Sequence, residues 1–399
     1  VPRLKLPSFA YRRAAGAWCG LRAAAHVLSP GLGRILASAA GIRHAARGTA
    51  QAARTLANAI RRLAGVAKRR ARAPASVPPL TPAHTTASGW LDHERTFRAR
   101  AYARSRNRDY VIHLPPSYDP RRPLPLVMVL HGCQQRHRDI QRISGFDAVA
   151  DRRGFAVVYP FVTSYAGWRL ENCWGWWLRD QIRPGKGEVQ DLWEIAEEVR
   201  SEFNIDPRRI HVTGLSSGGG MAIAALVAHP HRFASGAAVA GVPYSETAAA
   251  VGLTRRTNGV FKAVPEVSEA MSAAMGERKR AVPIFIVHSH RDTTVHIRAA
   301  ENIRDSWGHC FGVDTSKPSG VRSGATRGAR WRCARYRGSD RRTLIETLFL
   351  EDGEHGWYGG RPGRFSHPDA PDISEMMWDF FRAHPLERRS AQRQATEAA

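Results

Sequence analysis

The stretch Arg209-Ile210-His211-Val212-Thr213-Gly214-Leu215-Ser216-Ser217-Gly218-Gly219-Gly220-Met221 decides the reading of this chain. A β-like run over residues 209–212 gives way to glycines and serines, and an apolar run over 221–227 follows. The pattern predicts a strand, a sharp turn and a helix, with a serine at the turn. Glycines on either side of Ser216 let the backbone turn tightly and keep Cβ atoms away from the hydroxyl. A serine held this way is exposed at the top of a sheet, where it serves as a nucleophile. Read alone, the stretch also suits a helix N-terminus with serine as its cap. Ser217 is the rival nucleophile, but a G-x-S-x-G pattern centred on it needs glycine at 215, which is Leu215. Its backbone N–H is better suited to receiving charge on an oxyanion.

Acyl transfer by serine needs a histidine base and a carboxylate that orients it. In sheets of this kind they follow in the order serine, acid, histidine. An apolar strand over 283–287 ends in His288-Ser289-His290-Arg291-Asp292, which puts Asp292 just past a strand end. Asp292 also suits the cap of a helix beginning near Thr294. The next strand, over 343–350, leads into Glu351-Asp352-Gly353-Glu354-His355-Gly356-Trp357. His355 on this glycine-flanked loop completes the order. His288 and His290 precede Asp292 and break it. Asp352 is a competing acid, but three residues leave little chain to fold it behind the ring of His355. The apolar run over 124–130 ends at His131-Gly132-Cys133-Gln134-Gln135. It reads as a buried strand with a turn after it, and that turn is where a second oxyanion donor belongs; the donor assigned is the N–H of Cys133.

The 399 residues carry a formal charge of +25, unevenly spread. Residues 1–91 hold fifteen Arg or Lys and no Asp or Glu, leaving 45 basic and 35 acidic residues beyond them. Residues 1–72 read as a basic Arg/Ala-rich extension, and 73–91 as a Pro/Ser/Thr-rich linker. The extension is too long and too evenly basic for a simple signal peptide. Its basic face offers weak contact with an anionic surface. No motif for specific nucleic-acid binding is present. No apolar run reaches the roughly 18 residues a membrane span needs.

From residue 92 to 386 apolar strands alternate with helices. Strands are expected at 110–114, 126–130, 155–159, 209–214, 236–240, 283–287 and 343–350. Helices are expected at 143–153, 189–203, 219–227, 294–307 and 373–383. The alternation calls for an α/β fold, a mostly parallel central sheet with helices on both faces. Residues 387–399 read as a disordered tail. Of five cysteines, none forms a C-x-x-C pair, so no metal site is expected, and nothing calls for a cofactor. The four beyond Cys19 either form two bridges, Cys133 with Cys173 and Cys310 with Cys333, or remain buried thiols. Bridges imply an oxidising compartment, extracellular or periplasmic.

With these residues in hand, the chain resembles the polyhydroxybutyrate (PHB) depolymerase family of esterases, in its short-chain-length extracellular type 1 catalytic domain, with feruloyl and acetylxylan esterases as relatives. The resemblance covers about residues 108 to 386. It rests on His131-Gly132-Cys133-Gln134-Gln135, Gly154-Phe155-Ala156-Val157-Val158-Tyr159-Pro160, Asn172-Cys173-Trp174-Gly175-Trp176-Trp177, the segment around Ser216, Gly353-Glu354-His355-Gly356-Trp357, and Pro371-Asp372-Ile373-Ser374-Glu375-Met376. It implies an α/β-hydrolase fold and cofactor-free ester hydrolysis, with Ser216 as nucleophile, Asp292 as acid, His355 as base and Cys133 as oxyanion donor. It is compatible with both disulfides. Three positions depart from the family pattern: Ser217 where alanine is usual, Ser289 where glycine is usual, and Gly175 where asparagine is usual.

The expected activity is ester hydrolysis through an acyl-enzyme, on poly(3-hydroxybutyrate) or its oligomers, with feruloyl or acetylxylan ester hydrolysis as the alternative. Serine peptidase chemistry on the same fold, and a basic-arm binding protein with an idle hydrolase domain, are the readings from other classes. Trp174, Trp176 and Trp177 on one loop, and Trp357 after the base, are the expected substrate-binding aromatics. Trp168 on the same loop belongs with them.

Overall fold

The computed structural model describes residues 84–85, 91–162, 171–249 and 260–387. The basic extension, most of the linker, the tail beyond 387, Cys19 and Trp168 lie outside the described residues.

The strands are β1 (His84–Thr85), β2 (Leu91–Phe97), β3 (Arg108–His113), β4 (Leu124–Leu130), β5 (Ala156–Pro160), β6 (Ile205–Gly214), β7 (Ser235–Val239), β8 (Ile284–Ser289), β9 (Gly320–Thr326), β10 (Ala329–Arg337), β11 (Thr343–Leu350), β12 (Trp357–Tyr358) and β13 (Ser366–His367). The first eleven form one sheet in the order β1-β2-β3-β5-β4-β6-β7-β8-β11-β10-β9. The middle six, β5 through β11 in that order, run parallel. Antiparallel strands close both edges.

The helices are α1 (His137–Ser144), α2 (Phe146–Arg153), α3 (Gly187–Glu202), α4 (Ser217–Ala228), α5 (Val264–Met275), α6 (Arg298–Phe311) and α7 (Ile373–Arg382). Side chains alternate across a strand, so a strand covered on both faces must be apolar throughout. In β4, Leu126, Met128 and Leu130 join the core packed by α3, α4, α5 and α6. Val127 and Val129 join the opposite core, packed by α1, α2 and α7. Ile284 and Ile286 of β8 divide from Phe285 and Val287 in the same way. This is the expected α/β-hydrolase architecture.

The expected helix at 143–153 is two helices. Gly145 takes φ 66° between α1 and α2, a left-handed conformation that favours glycine and ends the first helix. The helix expected from Thr294 starts at Arg298. The sequence reading also missed β2, α5 and the β9–β10 hairpin.

Of the two expected disulfides, Cys133–Cys173 is formed. The Cys310–Cys333 pairing is not, and both are buried free thiols. Cys310 on α6 belongs to one core and Cys333 on β10 to the core across the sheet. Their partners differ as well: the Cys310 sulfur lies 3.4 Å from Ser272 Oγ, and Cys333 Sγ donates to Glu346 Oε1 at 3.1 Å.

Candidate active site

Ser216 lies two residues past β6 and caps the start of α4 with φ 58° and ψ −116°, a conformation that costs energy for any residue but glycine. Its neighbours hold it there. Leu215 N–H donates to Leu130 O at 3.1 Å and Ser216 N–H to Val239 O at 2.8 Å, so the turn is tied to the ends of β4 and β7. The flanking glycines serve close packing. A Cβ on Gly214 would stand 2.5 Å from the Gly218 carbonyl carbon, and one on Gly218 would stand 2.4 Å from Leu130 O. Both glycines let the turn press onto the end of β4, since a Cβ on either would also meet Leu130. Ser216 occupies the cap position of α4, yet its side chain makes no cap hydrogen bond. The adjacent Ser217 is 3% exposed, and its hydroxyl has no hydrogen-bond partner.

Asp292 follows β8 and His355 follows β11. Because β6, β8 and β11 are parallel, Ser216, Asp292 and His355 all lie beyond the carboxyl ends of these strands, on one side of the sheet. That is where such sheets present their functional groups. Asp292 is 4% exposed, and its Oδ2 accepts a 2.7 Å hydrogen bond from His355 Nδ1. Its Oδ1 accepts from the N–H groups of Thr294 and Val295, both at 2.8 Å. Both oxygens are thus held. The helix Asp292 was also suited to cap begins at Arg298 instead, with Ile297 as cap. Burial alone would raise the Asp292 pKa, but the hydrogen bond and charge of His355, helped by His288, outweigh it and lower the value. The carboxylate therefore stays ionised at neutral pH, and His355 keeps its proton on Nδ1, leaving Nε2 as acceptor. The competing acid, Asp352, faces outward between Arg291 at 3.6 Å and Arg330 at 3.7 Å. Of the competing histidines, His290 is exposed. His288 is buried behind Asp292, with Nε2 donating to Val295 O at 2.8 Å. Burial lowers its pKa, so it stands there neutral.

Cys133 sits on the turn after β4. The preceding Gly132 carbonyl accepts from His131 Nδ1 at 2.8 Å and from Gln135 N–H at 3.3 Å. His131 Nε2 in turn accepts from Val162 N–H at 3.1 Å, which fixes the tautomer. Within one planar peptide the C=O and N–H point oppositely. Anchoring the Gly132 carbonyl therefore aims the Cys133 N–H the other way. Among the described residues no acceptor meets the N–H of Cys133 or of Ser217. The Gly132 backbone also borders Ser216, since a Cβ built on it would lie 3.5 Å from Ser216 Cβ. His131 is fully buried, and burial pushes its pKa down to about 3, so the clasp is neutral at any working pH. Sequence reasoning named His131 only as part of a motif; its signal was a histidine directly after an apolar strand. The Cys133–Cys173 bridge and a 2.6 Å bond from Gln134 N–H to Glu171 O hold the turn's far side.

The aromatic expectations divide. Trp174 and Trp357 are 0% exposed, so their assignment as substrate-binding residues is corrected: both are core. Trp174 packs on His131, with ring centroids 5.4 Å apart. Trp357 donates from Nε1 to Ser374 Oγ at 3.1 Å and meets Phe146 edge-on. Trp176 and Trp177 lie edge to face at 5.2 Å. They pack with Val242, with Val295 beside the Asp292 turn, and with Phe261. Trp176 also abuts Gly220 in the first turn of α4.

Among the described residues, Asp92, His113 and Asp147 are close enough together to hold a metal ion. Their oxygens are already engaged: Arg138 and Gln141 donate to Asp92, and Gln141 and Tyr159 to Asp147.

The family described as "Esterase PHB depolymerase" matches residues 108–329, more than half of the chain. The chain belongs to the PHB depolymerase family of esterases. It is 30% identical over 192 residues to poly(3-hydroxyalkanoate) depolymerase C of Paucimonas lemoignei, covering 48% of this chain and 46% of that protein. It is 28% identical over 214 residues to feruloyl esterase B of Neurospora crassa, covering 50% and 70%. The chain thus spans about half the length of the first of these relatives. The acetyl xylan esterase structure from Aspergillus awamori superposes with a TM-score of 0.55 at 18% identity, over 72% of this chain and 99% of that one. That likeness is one of fold.

Proposed function

We propose that this member of the PHB depolymerase family hydrolyses carboxylic esters through an acyl-enzyme on Ser216, with short hydroxyalkanoate oligomers as substrates. The observation that carries the reading is the hydrogen bond from His355 Nδ1 to Asp292 Oδ2, 2.7 Å, on loops that follow strands parallel to the one leading into the strained Ser216 turn. His355 Nε2 takes the Ser216 proton as Oγ attacks the ester carbonyl, and Asp292 stabilises the imidazolium. The N–H groups of Cys133 and Ser217 receive the negative charge on the carbonyl oxygen; loss of one such donor costs on the order of 3 kcal/mol in the transition state. His355 passes its proton to the leaving alkoxide. Water then attacks the acyl-enzyme with His355 again as base. Trp177 and the edge of Trp176 offer the acyl chain an apolar wall. The disulfide supports an oxidising workplace, extracellular or periplasmic.

Feruloyl or acetylxylan ester hydrolysis is the second reading, favoured by the Trp176–Trp177 pair as a face for an aromatic acid. Rates on hydroxybutyrate oligomers, methyl ferulate, acetylated xylo-oligosaccharides and nitrophenyl butyrate separate the two. Ser216→Ala is expected to abolish turnover on the preferred ester, while Ser217→Ala costs little because its side chain is unpartnered. A phosphonate ester that labels Ser217 rather than Ser216 would overturn the nucleophile assignment.

A further inference from the structure

Arg364 stands at the mouth of the proposed site without an acidic partner. It lies between β12 and β13 and is exposed. Its guanidinium covers the Phe365 ring, 4.6 Å from the centroid. Phe365 meets the His355 imidazole edge-on at 6.3 Å. From the other side Arg364 Nη2 donates to Gln134 Oε1, on the residue after Cys133. One cation therefore touches both the ring that packs on His355 and the oxyanion loop. Gln134 in turn separates Arg364 from Glu171, to which its own amide donates at 3.1 Å.

Other arginines along this edge are neutralised: Arg327 by Asp369 at 2.8 Å and Arg291 by Asp352 at 3.6 Å. Among the described residues no carboxylate lies within ion-pair distance of Arg364, of Arg361, or of Arg142, whose guanidinium borders Gly363. A planar guanidinium stacked on an aromatic ring, with donors to spare, is a receptor for a carboxylate.

The mechanism says which part of the substrate would reach it. Ser216 Oγ forms a bond to the acyl carbon, and the bond from that carbon to the alcohol oxygen breaks. The proton taken from Ser216 goes from His355 to that alcohol oxygen. The alcohol part of the ester must therefore lie on the His355 side, where Phe365 and Arg364 are. We infer that Arg364 binds a carboxylate carried by the leaving alcohol, so that the preferred substrates are esters of hydroxycarboxylic acids cleaved at their free carboxyl end. The products are the shortened acid and a free hydroxycarboxylate, with one water consumed. This inference rests on the esterase reading and specifies the leaving group within it.

The test uses the full chain and two substrates that differ in one group: the linear dimer of 3-hydroxybutyrate as the free acid, and its methyl ester at the terminal carboxyl. The wild type should favour the free acid by about tenfold in kcat/KM, chiefly through KM, and the preference should shrink with added salt. Arg364→Gln should bring the ratio of the two substrates toward one, and Arg364→Lys should retain part of it. Arg364→Glu should turn the preference toward a choline ester, whose leaving alcohol is cationic. Equal wild-type rates on the two dimers would overturn the inference. So would an Arg364→Gln effect of the same size on both, which would mean that Arg364 only braces the Gln134 turn. If the wild type hydrolysed neither dimer and no nitrophenyl butyrate, the esterase reading itself would fall; with nitrophenyl butyrate hydrolysed, inactivity on both dimers would remove the leaving-group assignment alone.

Discussion

Asp292 shows how much of a side chain's role depends on what occupies each of its oxygens. Oδ1 is used up by two backbone N–H groups, which leaves Oδ2 turned to His355. A neutral amide in its place keeps the Oδ1 contacts in one orientation but presents NH₂ to the imidazole, selecting the wrong tautomer. Asp292→Asn should therefore lower kcat by about three to four orders of magnitude with little change in KM. Asp352→Asn should change little, because that carboxylate pairs only with exposed arginines. Steady-state kinetics of the two variants on one soluble ester checks the assignment, and a reversed order would make Asp352 the acid. The same residue-level view explains the two tryptophans that were misread. Trp174 and Trp357 flank the site in sequence, but a side chain with no exposed surface has nothing to offer a substrate. Burial of a single side chain is a tertiary property that the local pattern does not carry.

At the scale of elements, the turn after β4 is the part most dependent on remote support. Its oxyanion candidate is tied through Cys133–Cys173 to a segment 40 residues away in sequence. Closing a loop of that length is worth about 2–4 kcal/mol through restriction of the unfolded chain. Replacing both cysteines by serine should lower unfolding free energy by that order, and should lower kcat as the Cys133 N–H loses its aim. Denaturant unfolding and turnover, measured on the same preparations, test both parts; unchanged kcat would detach the bridge from the site. Mass spectrometry of unreduced protein should find Cys310 and Cys333 as thiols. The central strands were readable because burial on both faces makes them continuously apolar, and their ends located Ser216, Asp292 and His355. The β9–β10 hairpin was not, because β9 buries no residue, β10 buries only Cys333, Ala334 and Tyr336, and Arg322, Arg330, Arg332 and Arg335 break the apolar pattern. Its turn, Arg327-Gly328, needs positive φ at both residues, 47° and 89°, which is a weaker written signal than Asn-Gly. Cys310 and Cys333 looked like a pair along the chain, yet a sheet lies between them.

Across the whole molecule, the buried histidines set how stability answers to pH. His131, His211 and His229 are held neutral, burial pushing each down to about 3. Once unfolded they take up protons below about pH 6.5, so their contribution is complete above that value and lost as pH falls. His113 does the opposite. Burial alone would lower its pKa, but hydrogen bonds to Asp92 and Asp151 and the charge of Asp147 outweigh it and raise the value to about 9. Its Nε2 lies 2.8 Å from Asp151 Oδ1, and its Nδ1 lies 3.3 Å from Asp92 and 3.9 Å from Asp147. Arg138 also faces Asp92, whose pKa falls because His113, Arg138 and Gln141 outweigh its burial. This cluster joins β2, β3, α1 and α2, so its charge state is felt by one whole edge of the sheet. A raised histidine value means stability that is fully present below about pH 6.5 and lost as pH rises through about 9. The two groups of histidines therefore oppose each other, and stability should be greatest near neutrality. His113→Gln should weaken the protein at pH 7 and flatten the alkaline limb, removing on the order of 2–3 kcal/mol of its change between about pH 6.5 and 9.5. The loss of stability just below about pH 6.5, to which His131, His211 and His229 contribute, should be kept, while at lower pH Asp92, having lost His113, should contribute less. Guanidinium unfolding of wild type and variant across this range is the measurement, and identical alkaline slopes in the two would show that His113 is not the group that titrates.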